Sequence, residues 1–313
     1  MSVLSNPELT LIEWEGHNGE WFTLAGVGSG DRGVHLSSQI SGIWDDPFNS
    51  IWNSHAFQIG ADFGGIRTNQ RDVVFGVHVK GTASASWREN DSEFRKSFSP
   101  LRDSKLWIET PDSRRHLNLR LSETPQFAPE IDPNKIKYGA VVYTCVAGNP
   151  RWYEPDVTST WVSPTDTTAV DGSGNFTTTS SGTVAVSNPT DTTIWLKWVL
   201  QAYPGAIYTL PDFSFGDDRF ERAEIDATRS IVMPPLMADE HLVVDTDEHA
   251  LNGQVNSSLD TQVYIRMNGV QFLYPIPPYT KTTHLPVSVT GAPAGVGVQC
   301  VQQRPWSRPF GLQ

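Results

Sequence analysis

Basic residues are scarce in this chain. Its 313 residues carry 23 lysines and arginines against 35 aspartates and glutamates, a formal net charge of −12. Tight binding of duplex DNA draws on clustered Lys and Arg, so the deficit argues against it. DNA sliding past an acidic wall is still allowed. Cysteine is nearly absent: Cys145 and Cys300 are the two present, and neither lies in a metal or redox motif. Cys145 falls in YGAVVYTCVAG, a buried-strand pattern, and is read as a packing residue. A disulfide between the two is the alternative. No apolar run approaches the roughly 20 residues that cross a bilayer, so no membrane insertion is expected. The start MSVLSNPELTLIEWEG lacks the basic head and apolar core of a signal peptide, and the chain is expected to fold in a cytoplasm. GxSxG, Walker and HExxH motifs are missing as well. No catalysis, cofactor or metal is expected.

What is abundant is turn formers and aromatics. The chain has 25 glycines, 22 prolines and 11 tryptophans, a composition that fits short strands joined by turns. The length suggests two domains. LTLIEW and EWFTLAG alternate around GHNG and read as an opening hairpin. In GADFGGIRTNQRDVVFGVHVKG, apolar residues alternate on both flanks of a polar stretch from Gly64 to Asp72. His55, Phe57, Ile59, Ala61 and Phe63 share one parity upstream; Val73, Phe75, Val77 and Val79 share one downstream. Period two marks half-buried strands, so a long-looped hairpin is expected, with Arg67, Arg71 and Asp72 at its tip. Such a tip is either a plain solvated loop or a contact surface.

NDSEFRKSFSPL is the one convincing helix, with Asn90 as its cap, Glu93 reaching back, and Pro100 as its end. KLWIET and HLNLRLSE form a further hairpin, with Leu117, Leu119 and Leu121 on one face. TPQFAPEIDPNK holds three prolines in twelve residues. It is stiff and unsuited to a sheet, so the domain boundary is expected there. This divides the chain into residues 1–123, a linker at 124–135, and residues 136–313. The second block reads as many short strands and a β-sandwich. It contains a strand, turn and strand in GTVAVSNPTDTTIWLKWVLQAY and a hairpin around Asn268–Gly269. SPTDTTAVDGSGNFTTTSSG reads as a mobile polar loop.

Two clusters invite chemistry. ADEHLVVDTDEHA, Asp239 to His249, offers carboxylates and imidazoles of the kind that ligate divalent ions. Its spacing fits no established motif, and two acidic turns around a short strand explain it equally well. FSFGDDRFERAEID, Phe213 to Asp226, sets carboxylates near aromatics, as a glycosidase or sugar cleft would. Hydrolysis needs two carboxyls roughly 5 to 10 Å apart, which spacing along a chain does not show, and an acidic loop is the simpler reading. Tryptophans can stack on sugars, but most of these fall on strand periodicity and are read as core.

The order of elements carries more than any motif. EWFTLAG, DRGVHLSSQISGIWDDP, HAFQIGADFGG, IRTNQRDVVFGVHV, NDSEFRKSFSP and KLWIETPDSRRHLNLRLSETP follow one another in a way that resembles the distal tail (Dit) proteins of long-tailed phages. The likeness is to those called minor tail proteins in actinobacteriophages. SNPTDTTIWLKWVL, YTLPDFSFGDD, RSIVMPPL, VQFLYPIPPYT and RPWSRPFGL continue it nearly to the end of the chain. The resemblance implies a mainly β, two-part fold. An N-terminal Dit-type β-sandwich with one short helix and a hairpin would form a hexameric ring with five copies of itself. A C-terminal galectin-like β-sandwich would hang outside it. The ring would join the tail tube protein to the tail hub, surround the end of the tape measure protein, and let DNA pass through its lumen. The location implied is the distal tip of the virion tail, assembled in the host cytoplasm. Arg67, Arg71 and Asp72 would then contact the neighbouring protomer, and replacing both arginines with Glu would harm the ring without unfolding the protomer. Two further readings compete: a carbohydrate-binding adhesin acting on host cell-wall glycan, resting on the Trp-rich second block, and a cell-wall hydrolase, resting on scattered carboxylates.

Overall fold

Period-two alternation sets the longest register in the first half of the chain. In β6 (Arg71–Lys80), Val73, Phe75, Val77 and Val79 are buried, while Asp72, His78 and Lys80 lie on the other face. β9 (Tyr138–Ala147) pairs with β6 along its whole length, from Arg71 opposite Ala147 to Lys80 opposite Tyr138. The computed structural model describes residues 10–37 and 40–313. Leu9, the expected start of the first strand, lies outside them. Among the described residues the chain is mainly β and divides into two units, the described residues up to 154 with 305–312, and residues 155–304 with 313.

Unit 1 is a β-sandwich. β1 (Leu11–Glu15) pairs with β2 (Trp21–Ala25) around the expected GHNG turn. β7 (Ser104–Glu109) pairs with β1 on one side and with β8 (Arg114–Leu121) on the other. β3 (Val34–Leu36) pairs with β6 and completes the opposing sheet of β3, β6 and β9. β8 joins the two layers: its body pairs with β7, and Arg120 and Leu121 pair with β9. Trp14, Phe75, Phe94, Phe98 and Tyr143 fill the space between the layers. Phe98 stacks on Trp14 at 4.3 Å and on Tyr143 at 4.2 Å between centroids. Such pairs contribute about 0.5–1.5 kcal/mol each beyond the area they bury. Cys145 packs in this core as a free thiol.

Helix α1 (Trp87–Lys96) begins earlier than expected. Its cap is Ser86, which accepts from the Glu89 N–H, while the Glu89 carboxylate accepts from the Ser86 N–H. This is a capping box on Ser-Trp-Arg-Glu. Asn90, the expected cap, is instead buried and donates to the Lys80 carbonyl at 2.8 Å. The helix seats Trp87 and Phe94 on the core.

The proline-rich stretch 124–135 does not divide the molecule. It carries a bridge from Gln126 to Val142 and the single turn of α2 (Pro133–Ile136), and it lies inside unit 1. The stretch meets the sheet at one residue, where Gln126 bridges Val142 of β9, and its prolines keep it from forming a strand. The chain then re-enters unit 1 through β9, so the division falls further on. It falls within β10 (Trp152–Val162), at Glu154/Pro155, and again within β18 (Gly297–Trp306), at Arg304/Pro305.

Unit 2 is a second sandwich. One sheet holds β12 (Leu196–Leu200), β15 (Leu242–Asp245) and β16 (Val255–Ser257), with β18 pairing β12. The other holds β11 (Thr179–Asn188), β17 (Thr280–Thr290), β13 (Ile207–Pro211) and β14 (Ser230–Val232), in that order. Trp198, Tyr208, Leu210, Val287 and the free thiol of Cys300 pack between them. The hairpin expected around Asn268–Gly269 is not present. The single turn of α3 (Val263–Arg266) precedes these residues, and both take positive φ, 52° and 76°, in the turn that follows it. The stretch read as a mobile loop is anchored where Thr167 exchanges hydrogen bonds with Ala292.

Candidate functional site

The expected hairpin with strands at 55–63 and 73–80 is replaced by a different one. β4 (Phe48–Asn53) pairs antiparallel with β5 (Asp62–Thr68) and, among the described residues, with no other strand, forming a two-stranded arm. Residues 54–61, read as the upstream strand, are its tip. There the His55 N–H donates to Gln58 Oε1 and the Gln58 N–H to the His55 carbonyl. Phe57 and Gly60 take positive φ in the same turn. The register shifts between Ile51 and Trp52, so that Gly64 is passed over and Trp52 faces Phe63. Gly65, beside this bulge, takes φ of 128°, open to glycine alone at no strain.

The arm is apolar without being buried. Phe48, Ile51, Trp52, Phe57, Ile59, Phe63 and Ile66 are all exposed. Phe48, Trp52, Phe63 and Ile66 share one face, since Ser50 pairs with Ile66 and Trp52 with Phe63. The Trp52 and Phe63 rings meet edge to face at 5.5 Å. An isolated two-stranded hairpin is marginal in water, and an apolar patch of this size on a soluble surface marks a contact site.

Arg71 fixes the arm's root. Its guanidinium is 2% exposed and donates to the carbonyls of Pro150, Gly42, Trp44, Asp45 and Ser307 and to the Asp46 carboxylate. Burial lowers its pKa, and Asp46 opposes that shift. Asp46 also pairs with Arg151. The chain entering the arm is thus bound to the chain leaving it. Across the root, the Asn69 N–H donates to the Pro47 carbonyl at 2.8 Å.

The three residues expected at a single tip are therefore separated. Arg67 lies exposed in β5 opposite Asn49, on the face away from Phe48 and Trp52. Asp72 is exposed in β6 opposite Val146. Arg71 is no surface contact at all. It shares the parity of Val73, Phe75 and Val77 and points inward with them; its charge is accommodated because six oxygens meet it. The double replacement with Glu would consequently strike the fold.

Period two does not mark the arm, because Phe48-Asn-Ser-Ile51-Trp52-Asn places apolar residues on both parities, unlike a half-buried strand. That pattern, beside a tip rich in large apolar residues, was the available signal.

The other candidate clusters are spent on structure. Glu240 is fully buried and accepts from Thr261, Arg266, Ser257 and the Met237 N–H. His241 Nδ1 accepts from the Ala202 N–H, and Asp245 pairs with Lys197 at 2.9 Å. Among the described residues, no group of three or more His, Cys, Asp or Glu side chains could hold a metal ion. In Phe213 to Asp226, Asp217 pairs with Arg219, and Asp226 pairs with Arg222 and accepts from the Tyr274 hydroxyl. Trp14, Trp152, Trp198 and Trp306 are buried as expected. The exposed tryptophans, Trp21, Trp44 and Trp52, all belong to unit 1.

No protein-family model matches the chain. Minor tail protein Gp27 of Mycobacterium phage D29 is 32% identical over 346 residues, covering 97% of this chain and 99% of Gp27. Minor tail protein Gp27 of Mycobacterium phage L5 matches at the same identity and coverage. Among solved structures, the SPP1 Dit (gp 19.1) protein, described as a paradigm of the hub adsorption apparatus in phages infecting Gram-positive hosts, is similar with a TM-score of 0.54. That likeness covers 95% of this chain and 99% of SPP1 Dit at 9% identity, and it is a likeness of fold.

Proposed function

We propose, from the premise that the chain belongs to the family of minor tail proteins that includes Gp27 of mycobacteriophages D29 and L5, that it is a ring protein of the distal tail. Its work is structural, without catalysis. Six copies would close a ring between the tail tube and the tail tip. That ring would anchor the hub and receptor-binding proteins, surround the end of the tape measure protein and leave a lumen for DNA. The protein is placed in the virion after assembly in the host cytoplasm. The Dit-like fold supports this reading.

The observation that carries it is the arm. A ring needs heterologous contacts, in which two different patches of one chain meet around the circle. An exposed aromatic ribbon held rigid at its root by Arg71 supplies one such patch. Negative-stain microscopy of the purified protein tests the proposal, with antibody labelling of phage particles. Six-fold rings and label at the tail tip are expected. Label along the whole tail shaft, or none on particles, would refute it. The adhesin reading has no comparable support, since Trp161 and Trp195 of unit 2 are half-buried and Trp198 is buried.

A further inference from the structure

We infer that an apolar groove beside the root of the arm is the receiving site for the arm of a second copy of this chain, with Phe57 and Ile59 as its anchors. This deepens the ring reading and rests on it. The groove lies in unit 1 and has a volume of about 500 Å³. Ile12, Leu36, Ile40, Ile43, Trp44 and Phe310 line it, and among the described residues no charged side chain does. Trp44, half exposed, meets Phe310 edge to face at 5.2 Å and forms one wall.

The arm of the same chain does not fill this groove. Trp44 is in its wall, and β4 begins four residues later and runs on for six residues, roughly 20 Å at about 3.3 Å per residue. At the far end Phe57 and Ile59 stand free of the chain, at 105% and 102% relative exposure. One chain thus carries a projecting apolar ribbon and a concave apolar seat, two distinct patches of the kind a heterologous contact requires. Charge does not oppose this partner at the contact itself: the chain carries −12 overall, whereas neither the described lining of the groove nor the aromatic face of the arm carries charge. Area is adequate too. At roughly 150–250 Å² per covered aromatic, the four exposed aromatics of the arm present on the order of 800 Å², about what each partner gives a stable interface.

The test uses the full chain with Ile59→Cys and Leu36→Cys; Cys145 and Cys300 are buried and out of reach. Oxidation under assembly conditions is expected to give a ladder of disulfide-linked copies on a non-reducing gel. Ile59→Cys with Leu251→Cys, an exposed position in unit 2, is expected to give none. Phe57→Ser with Ile59→Ser is expected to raise the concentration for half-assembly at least tenfold with Tm unchanged. If rings form without the ladder, and the serine variant assembles like the wild type, the groove is not the seat while the ring reading stands. A wild-type chain that stays monomeric at every concentration overturns both. A disulfide within one chain between Leu36→Cys and Leu4→Cys, replacing the ladder, would give the groove to the chain's own first residues and overturn the inference as well.

Discussion

Arg71 Nη2 and Asp46 Oδ1 lie 3.1 Å apart, with 2% and 13% of their side chains exposed. Asp46 precedes β4 by two residues and Arg71 follows β5 by three, so the pair closes the base of the arm. The remaining guanidinium hydrogens reach the backbone carbonyls of Gly42, Trp44, Asp45, Pro150 and Ser307. Rigidity at the root matters because an ordered arm docks without first losing its freedom.

Arg71→Met is expected to destabilise the protomer by about 3–5 kcal/mol, since removing one partner of a buried pair strands the other and leaves buried carbonyls without a donor. Urea unfolding measures it, with an unchanged m-value. Arg71→Lys keeps the charge but not the fork and should recover only part of the loss. A cost below about 1 kcal/mol would show that the clamp is incidental.

Arg67→Glu is expected to behave in the opposite way. Arg67 is exposed on β5, and surface changes of this kind move stability by less than about 0.5 kcal/mol. The protomer should keep its Tm. Added negative charge on an arm approaching an acidic copy should raise the concentration for half-assembly, and more so at low salt. Light scattering against salt concentration checks this. Assembly identical to wild type at all salts would place Arg67 outside any contact.

Much of unit 1 was legible because its strands obey one period. β1, β2, β7 and β8 follow the alternation of their residues, and Leu117 and Leu119 are buried as that pattern requires. Where the structure departs from expectation, position or partner outweighs residue type. Arg71 falls on the inward parity of β6 and is buried despite its charge. Asn268–Gly269 carries a hairpin signature, yet the residues before it turn as helix. The domain boundary followed local stiffness at 124–135, while the true division depends on β9 returning to pair with β6 and on residues 305–312 returning to unit 1. Pairings between distant segments leave no local trace.

His116 is expected to remain neutral well below the pH at which a free imidazole charges. Its ring lies 4.5 Å from Trp107 and 6.1 Å from Tyr153. Burial first, then the charge of Lys105, pulls its pKa down to about 4, with Glu15 opposing. The folded value is below the unfolded value of about 6.5. The stability that the neutral ring contributes is therefore complete above pH 6.5 and lost as pH falls towards 4. An NMR titration of the ring should still show the neutral form at pH 5.5. A midpoint near 6.5 would contradict the packing.

Glu240 should govern stability in a more acidic window. Its side chain is fully buried and ties β16, α3 and the irregular segments at Met237 and Thr261 together in unit 2. The Met237 N–H donates to it at 2.9 Å and Ser257 Oγ at 3.1 Å, and Thr261 and Arg266 donate to the same Oε1 as Ser257. Desolvation alone would raise its pKa, but these donors and the Arg266 charge outweigh it and hold the group at about 2. A carboxylate depressed from 4.5 to about 2 contributes on the order of 3 kcal/mol, at about 1.4 kcal/mol per pH unit. That contribution is complete above pH 4.5 and is lost as pH falls from 4.5 towards 2. Glu240→Gln removes the charge and should destabilise unit 2 at pH 7, with the gap to wild type closing over that interval. Urea unfolding at pH 7, 4 and 2.5, followed by the fluorescence of the buried Trp198, measures the gap. A gap that stays constant from pH 7 to 2.5 would show that the ionised carboxylate does not hold the clasp.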